Sequence, residues 1–196
     1  MNTSVCMKNF LLTCLFFTLC SFAYAQGTVY FSNIDIPAGV NAPVYESDGI
    51  TKLSGSQFMA ELLGGPSATS LASVATTSFL TGNGAGYFVG GVGGLQAINT
   101  VSPGSMAWVA VEVWNMASGA SFQQAKASGL PNSWWESPEF SLITGGYPTG
   151  VGPAPPAALT GLGTSPVYLN GAVPEPSSFA LVGLGAAILL LHSHRR

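Results

Sequence analysis

The stretch S-M-A-W-V-A-V-E-V-W-N, Ser105 to Asn115, decides how the rest of the chain folds. Side chains alternate along an extended chain, so Ala107, Val109, Val111 and Val113 point one way and Met106, Trp108, Ala110, Glu112 and Trp114 the other. Both rows are mostly apolar, which requires cover on both sides and makes this a central strand. Leu95 to Val101 before it and Glu139 to Thr144 after it read as further strands. Between them Ser121-x-x-Gln124 has the form of a capping box. It opens a short helix, Phe122 to Ala127, which Gly129 and Pro131 end, and this is the only helix expected in the body.

Farther towards the N-terminus, Gln26 to Ile36 carries the aromatic and β-branched run Thr28 to Asn33 and reads as the first strand. Pro43-Val44-Tyr45 and Ile50 to Leu53 flank Glu46-Ser47-Asp48-Gly49, where Asp-Gly predicts a hairpin. Ser56 to Leu63 is compatible with helix or strand; its alternation favours a strand, and Gly64-Gly65-Pro66 should stop either. Small polar residues from Ser67 to Thr76 read as a loop, with short strands at Thr77 to Leu80 and at Tyr87 to Val89. Glycines from Thr81 to Gly94 match neither a dinucleotide fingerprint nor a P-loop, so they read as turn formers and not as a phosphate cradle. Gly145 to Pro156 is a Pro/Gly-rich loop, and Pro166 to Leu169 a last strand. Many short strands with frequent turns predict an all-β fold, an antiparallel β-sandwich of immunoglobulin-like or jelly-roll-like type with one short helix.

Both ends differ from this body. Residues 1–25 have Lys8, an apolar run from Phe10 to Cys20, and the small-x-small site Ala23-Tyr24-Ala25 before Gln26, the pattern of a secretory signal peptide cut at Ala25. Leu19 stands where a lipoprotein needs a small residue before Cys20, which argues against lipidation there. At the other end, residues 173–196 run from Pro174-Glu175-Pro176 through thirteen uncharged residues, Phe179 to Leu191, to Arg195-Arg196. The prolines keep the triplet extended. Thirteen helical residues reach only about 20 Å against a hydrocarbon core of about 30 Å, so 179–191 is a short, transient or bilayer-thinning transmembrane helix. An ordinary C-terminal anchor is the alternative, but such an anchor gives no reason for the proline triplet.

That ordered trio resembles the PEP-CTERM sorting signal of Gram-negative bacteria that make exopolysaccharide. Pro174, Glu175 and Pro176 match its triplet, Phe179 to Leu191 its apolar segment, and His192 to Arg196, with Arg195 and Arg196, its basic end. The resemblance implies an exported chain whose tail is recognised by an exosortase. Its expected partners are that enzyme, the secretion machinery, the membrane, and exopolysaccharide at the cell surface or in the extracellular matrix. The body is also similar to a recurring type of PEP-CTERM protein, with a D-G hairpin and K-L-S-G at Asp48 to Gly55, G-x-G-x-G-Y-F at Gly82 to Phe88, and W-N-x-A-x-G at Trp114 to Gly119.

The division is therefore a signal peptide at 1–25, one domain at 26–172, and a sorting tail at 173–196. All the cysteines, Cys6, Cys14 and Cys20, fall in the first part, and both histidines, His192 and His194, in the last. A body without either type has no Cys or His nucleophile, no Ser-His-Asp triad and no common zinc site. No cofactor or metal is expected, and the chain reads as a non-catalytic envelope or matrix protein. Two cations, Lys52 and Lys126, face seven anions in the body, a net charge of minus five, so nucleic acid is a poor partner.

Three groupings remain. Glu136 and Glu139 have the spacing of a carboxylate pair, but Pro138 lies between them and they read as solvated charges. Asp35, Glu46 and Asp48 offer hard oxygen ligands without a calcium-loop pattern, and turn chemistry explains Asp48. Adjacent Trp134 and Trp135 are the sugar-binding candidates, since an exposed indole stacks on a sugar ring; neighbouring residues in a strand face opposite ways, which makes one of them core.

Overall fold

The computed structural model describes residues 26–146, 152 and 154–170. Ala23 and Ala25, the sorting residues Pro174, Glu175, Pro176, Arg195 and Arg196, and the apolar segment 179–191 lie outside the described residues; Gln26 is the first described residue and is exposed.

In chain order the strands are β1 (Gly27–Tyr30), β2 (Ile34–Asp35), β3 (Val40–Asn41), β4 (Val44–Tyr45), β5 (Phe58–Gly65), β6 (Ala72–Ser78), β7 (Leu95–Ile98) and β8 (Met106–Asn115). The helix α1 (Phe122–Ala127) follows, and then β9 (Trp134–Glu136), β10 (Phe140–Ile143), β11 (Ala157–Ala158) and β12 (Val167–Tyr168). The fold is all-β, with α1 the one α-helix among the described residues. Its main sheet runs β10-β8-β5-β6, and β9 pairs with β8 beyond the end of β10. A three-stranded sheet, β11-β1-β7, and the two-stranded ribbons β4-β12 and β2-β3 complete it.

Strand β8 is central, as its two apolar rows predict. Ala107, Val109, Val111 and Val113 are fully buried, together with Ala60 and Leu62 of β5. They meet Val29 and Phe31 from the β1 segment, Ile98 of β7, and Phe79 and Phe88. The three phenylalanines meet in sequence, Phe31 tilted against Phe88 at 5.1 Å and Phe79 edge-on to Phe88 at 5.5 Å between centroids.

Several expectations give way. Ser67 to Thr76 is not all loop, because β6 begins at Ala72 and pairs antiparallel with β5. Its small polar side chains conceal a strand whose backbone partners lie on β5, with Val74 and Ala75 packed on the core. Gly64 and Gly65 do not stop β5: the strand runs through them because it passes close to its neighbours. A Cβ on Gly65 would collide with the Ser70 carbonyl. Tyr87 to Val89 forms only single bridges, from Phe88 to Phe79 and from Val89 to Ser32. A side chain takes the place of a partner strand there: the Phe88 N–H donates to Asn33 Oδ1 at 2.8 Å. Pairing is antiparallel in the main sheet, but β1 with β11 and β4 with β12 run parallel. Parallel pairs need long connections, which the chain between these partners supplies.

Candidate functional site

The face of the main sheet turned away from the core carries the chemistry. Met59, Glu61 and Leu63 of β5, Ala110, Glu112 and Trp114 of β8, and Trp134 and Glu136 of β9 alternate with the buried row. Register places them in rungs. Met59, Trp114 and Trp134 lie opposite one another, and next to them Glu61, Glu112 and Glu136 form a second, acidic rung across all three strands.

Helix α1 covers the apolar rung. Ser121 Oγ caps it by accepting from the Gln124 N–H at 3.4 Å, while Gln124 Oε1 accepts from the Ala120 N–H at 2.9 Å, one residue earlier than a capping box requires. Phe122 and Ala125 bury themselves with Trp114, and Phe122 meets Trp134 edge-on at 5.9 Å. Lys126, in the last turn, suits the negative end of the helix dipole. Its ammonium donates to both Glu136 carboxylate oxygens at 2.7 and 2.6 Å and sits 4.7 Å from the Trp134 ring centroid. Within this apolar cover the Trp114 indole N–H finds no acceptor among the described residues.

Like charges directly opposite in a sheet repel, and Glu112 is flanked on both sides. Burial first, then the Glu61 and Glu136 charges, push its carboxyl up to about 7, against the opposing pull of Lys126. Glu112 thus exchanges a proton near neutrality. Beside it opens a cleft of about 320 Å³, floored by Leu63 and Ala110 and walled by Glu112, Glu136, Ser137 and Glu139. The cleft marks where β9 gives way to β10 along β8. Pro138 has no N–H for the ladder, and Ser137 spans the gap through two bonds of 2.9 Å to the Val111 backbone.

Glu136 and Glu139 both border this cleft and both are exposed, in keeping with solvated charges. The adjacent indoles do face opposite ways: Trp135 packs against the main core, and Trp134 lies half-buried on the outer face under Lys126. Asp35 and Asp48 each serve a local turn, whereas Glu46 reaches a distant loop. Asp35 accepts from the Ala38 N–H, and Glu46 from the Asn132 amide at 3.2 Å. Asp48 is held below the usual carboxylate range by the Thr51 hydroxyl first, then by the Ile50 and Thr51 N–H groups. Among the described residues no three acidic side chains are grouped closely enough to hold a metal ion.

Sequence reasoning missed Glu61 and Glu112 as partners of Glu136, and the only available signal was an acidic residue inside each of two apolar strands. It also missed two asparagines that tie distant segments. Asn33 is buried and bonds Ala42, Gly86 and Phe88. Asn170 holds the loop before β9, accepting at Oδ1 from the Ser133 and Trp134 N–H groups, both at 2.9 Å, and donating through Nδ2 to Leu130 O at 2.9 Å.

Residues 172–196, just beyond Asn170, match the family described as the PEP-CTERM protein-sorting motif. The match makes the chain an exported protein, sorted through its tail by an exosortase, with a membrane-associated stage. No helix among the described residues is long and apolar enough to cross a membrane. No curated protein and no solved structure matches the chain.

Proposed function

We propose that residues 26–172 form a non-catalytic domain displayed at the cell surface or in the extracellular matrix, associated with exopolysaccharide after the tail has been processed. The supporting observation is the sorting motif at 172–196 on a body that contains no cysteine and no histidine. Its exposed carboxylates support the same reading: Glu136 is held in an ion pair with Lys126, and Glu139 stands across Pro138 from it. The test expresses the full chain in an exopolysaccharide-producing host that carries an exosortase. Mature protein of reduced intact mass is expected at the surface or in the matrix. A full-mass cytoplasmic product, or a hydrolytic activity lost in Glu136→Gln or Glu139→Gln, overturns the proposal.

Carbohydrate recognition through Trp134 or Trp135 is the second reading, favoured by the half-buried position of Trp134 on the outer face near the cleft. It ranks lower because Lys126 lies over the Trp134 ring and Trp135 packs against the core. Tryptophan emission that does not change on titration with the host polysaccharide removes it.

A further inference from the structure

Asn170, the last described residue before the tail, is held on all sides. Its N–H donates to Trp134 O at 2.9 Å, and its carbonyl accepts from the Asn132 N–H at 2.8 Å. Its side-chain amide makes the bonds to Leu130, Ser133 and Trp134 given above, and Ser133 Oγ donates to Oδ1 at 3.1 Å. Asn132 in turn is tied to the hairpin turn, accepting from the Ser47 N–H at 2.6 Å. The preceding residues are no looser: Leu169 is 2% exposed and donates its N–H to Tyr45 O at 2.9 Å, and Val167 donates to Pro43 O at 2.9 Å. The final strand is thus clasped to two separate segments of the fold up to the residue at which the tail leaves.

Only Gly171, Ala172 and Val173 separate this clasp from Pro174. Whatever path they take, bond geometry keeps Pro174 within about 14 Å of Asn170. A body of this size has a radius of gyration of about 15 Å, so a connection of three residues is short beside the fold it leaves. An extended strand uses about 3.3 Å per residue. An enclosed site that takes up the five residues before Pro174 must draw Asn170 and Leu169 out of their hydrogen bonds.

We propose that the Asn170 clasp is a brake on tail processing, because the exosortase reaches Pro174-Glu175-Pro176 fully only when the clasp opens. The inference rests on the exported, exosortase-sorted reading above and deepens it by making Asn170 a positioning residue. It predicts that processing speed depends on the free chain between the fold and the triplet, and not on the identity of that chain.

The test follows processing of the full-length chain by intact mass in exosortase-bearing cells, with two variants. A Gly-Ser spacer of about six residues placed after Asn170 supplies flexible length and leaves the clasp whole. Asn170→Ala removes the side-chain bonds, which shifts the opening equilibrium about tenfold. Both variants are expected to be processed severalfold faster than the native chain, and the two changes together no faster than either alone. Slow hydrogen exchange at the Ser133 and Trp134 amides in the spacer variant shows that its clasp is intact. A spacer variant processed at the native rate or slower overturns the brake, even if Asn170→Ala accelerates through loss of structure. If no form is processed while a carrier protein fused to residues 171–196 is, the brake is overturned with the body still eligible for display; if the carrier is not processed either, the sorting reading fails as well.

Discussion

On the inner face of β8, Ala107, Val109, Val111 and Val113 are fully buried among aliphatic and aromatic neighbours, whereas on the outer face Glu112 stands between Glu61 and Glu136 with Trp114 one rung away. The inner row needs only hydrophobic transfer and close packing, and any well-fitting apolar set satisfies it. The outer row is zoned. Its apolar rung is closed by α1, and its acidic rung is left beside a cleft, with Lys126 reaching from the helix to the nearest carboxylate. One sheet therefore carries a face that answers to volume and a face that answers to pH.

The largest expected effect lies on the inner face. Leu62→Ala removes a fully buried side chain from the β5 row. Chemical denaturation should show a loss of about 3 kcal/mol, independent of pH between 5 and 8, as expected for a cavity in a packed core. A strong pH dependence of that loss would mean that the two faces are coupled and the distinction fails.

A smaller effect of opposite sign is expected outside. Glu112 has a folded pKa of about 7 against an ordinary 4.5, so the folded state holds its proton after the unfolded state has released its own. Its contribution to stability is complete below pH 4.5, falls as the pH rises to about 7, and is lost above that. Glu112→Gln should flatten this fall and leave the variant more stable than the native protein at pH 8. A shift of this size measures about 3 kcal/mol at face value. Partial exposure and screening reduce the expected gain to about 1 kcal/mol. Thermal melts at pH 4.5 and pH 8 read it directly, and a variant less stable at pH 8 contradicts the repulsive rung.

Lys126→Ala gives the smallest expected change. The Lys126–Glu136 side chains are 37% and 42% exposed, so the pair should contribute only about 0.5 kcal/mol. The sharper readout is electrostatic. Lys126 lowers the Glu112 pKa, so its removal should move the Glu112 carboxyl resonance in an NMR titration to higher pH. An unmoved resonance would show that the helix cation does not reach the middle of the rung.

Much of the fold was legible because short-range rules apply where burial and pattern agree. The alternation of β8, the Ser121 cap of α1 and the Asp48-Gly49 turn each depend on residues a few positions apart. β6 was concealed because A-S-V-A-T-T-S has the composition of a loop, and only the edge of β5 makes it a strand. Tyr87 to Val89 misled in the other direction, since its bulky side chains fit a strand while Asn33 takes up the Phe88 N–H that a neighbouring strand would have paired. The acidic rung was out of reach because Glu61, Glu112 and Glu136 are far apart in sequence, and register between distant strands is set by packing.

By itself the sequence determined the exported address, the β-rich body and the lack of cysteine and histidine in that body, because each is written in composition or in a contiguous motif. Tertiary structure alone decided that three carboxylates share a rung, that Lys126 reaches one of them, and that Asn170 fastens the chain just before its sorting tail. Charge repulsion and hydrogen bonding act over a few ångströms of space, and only the folded chain brings such distant residues that close.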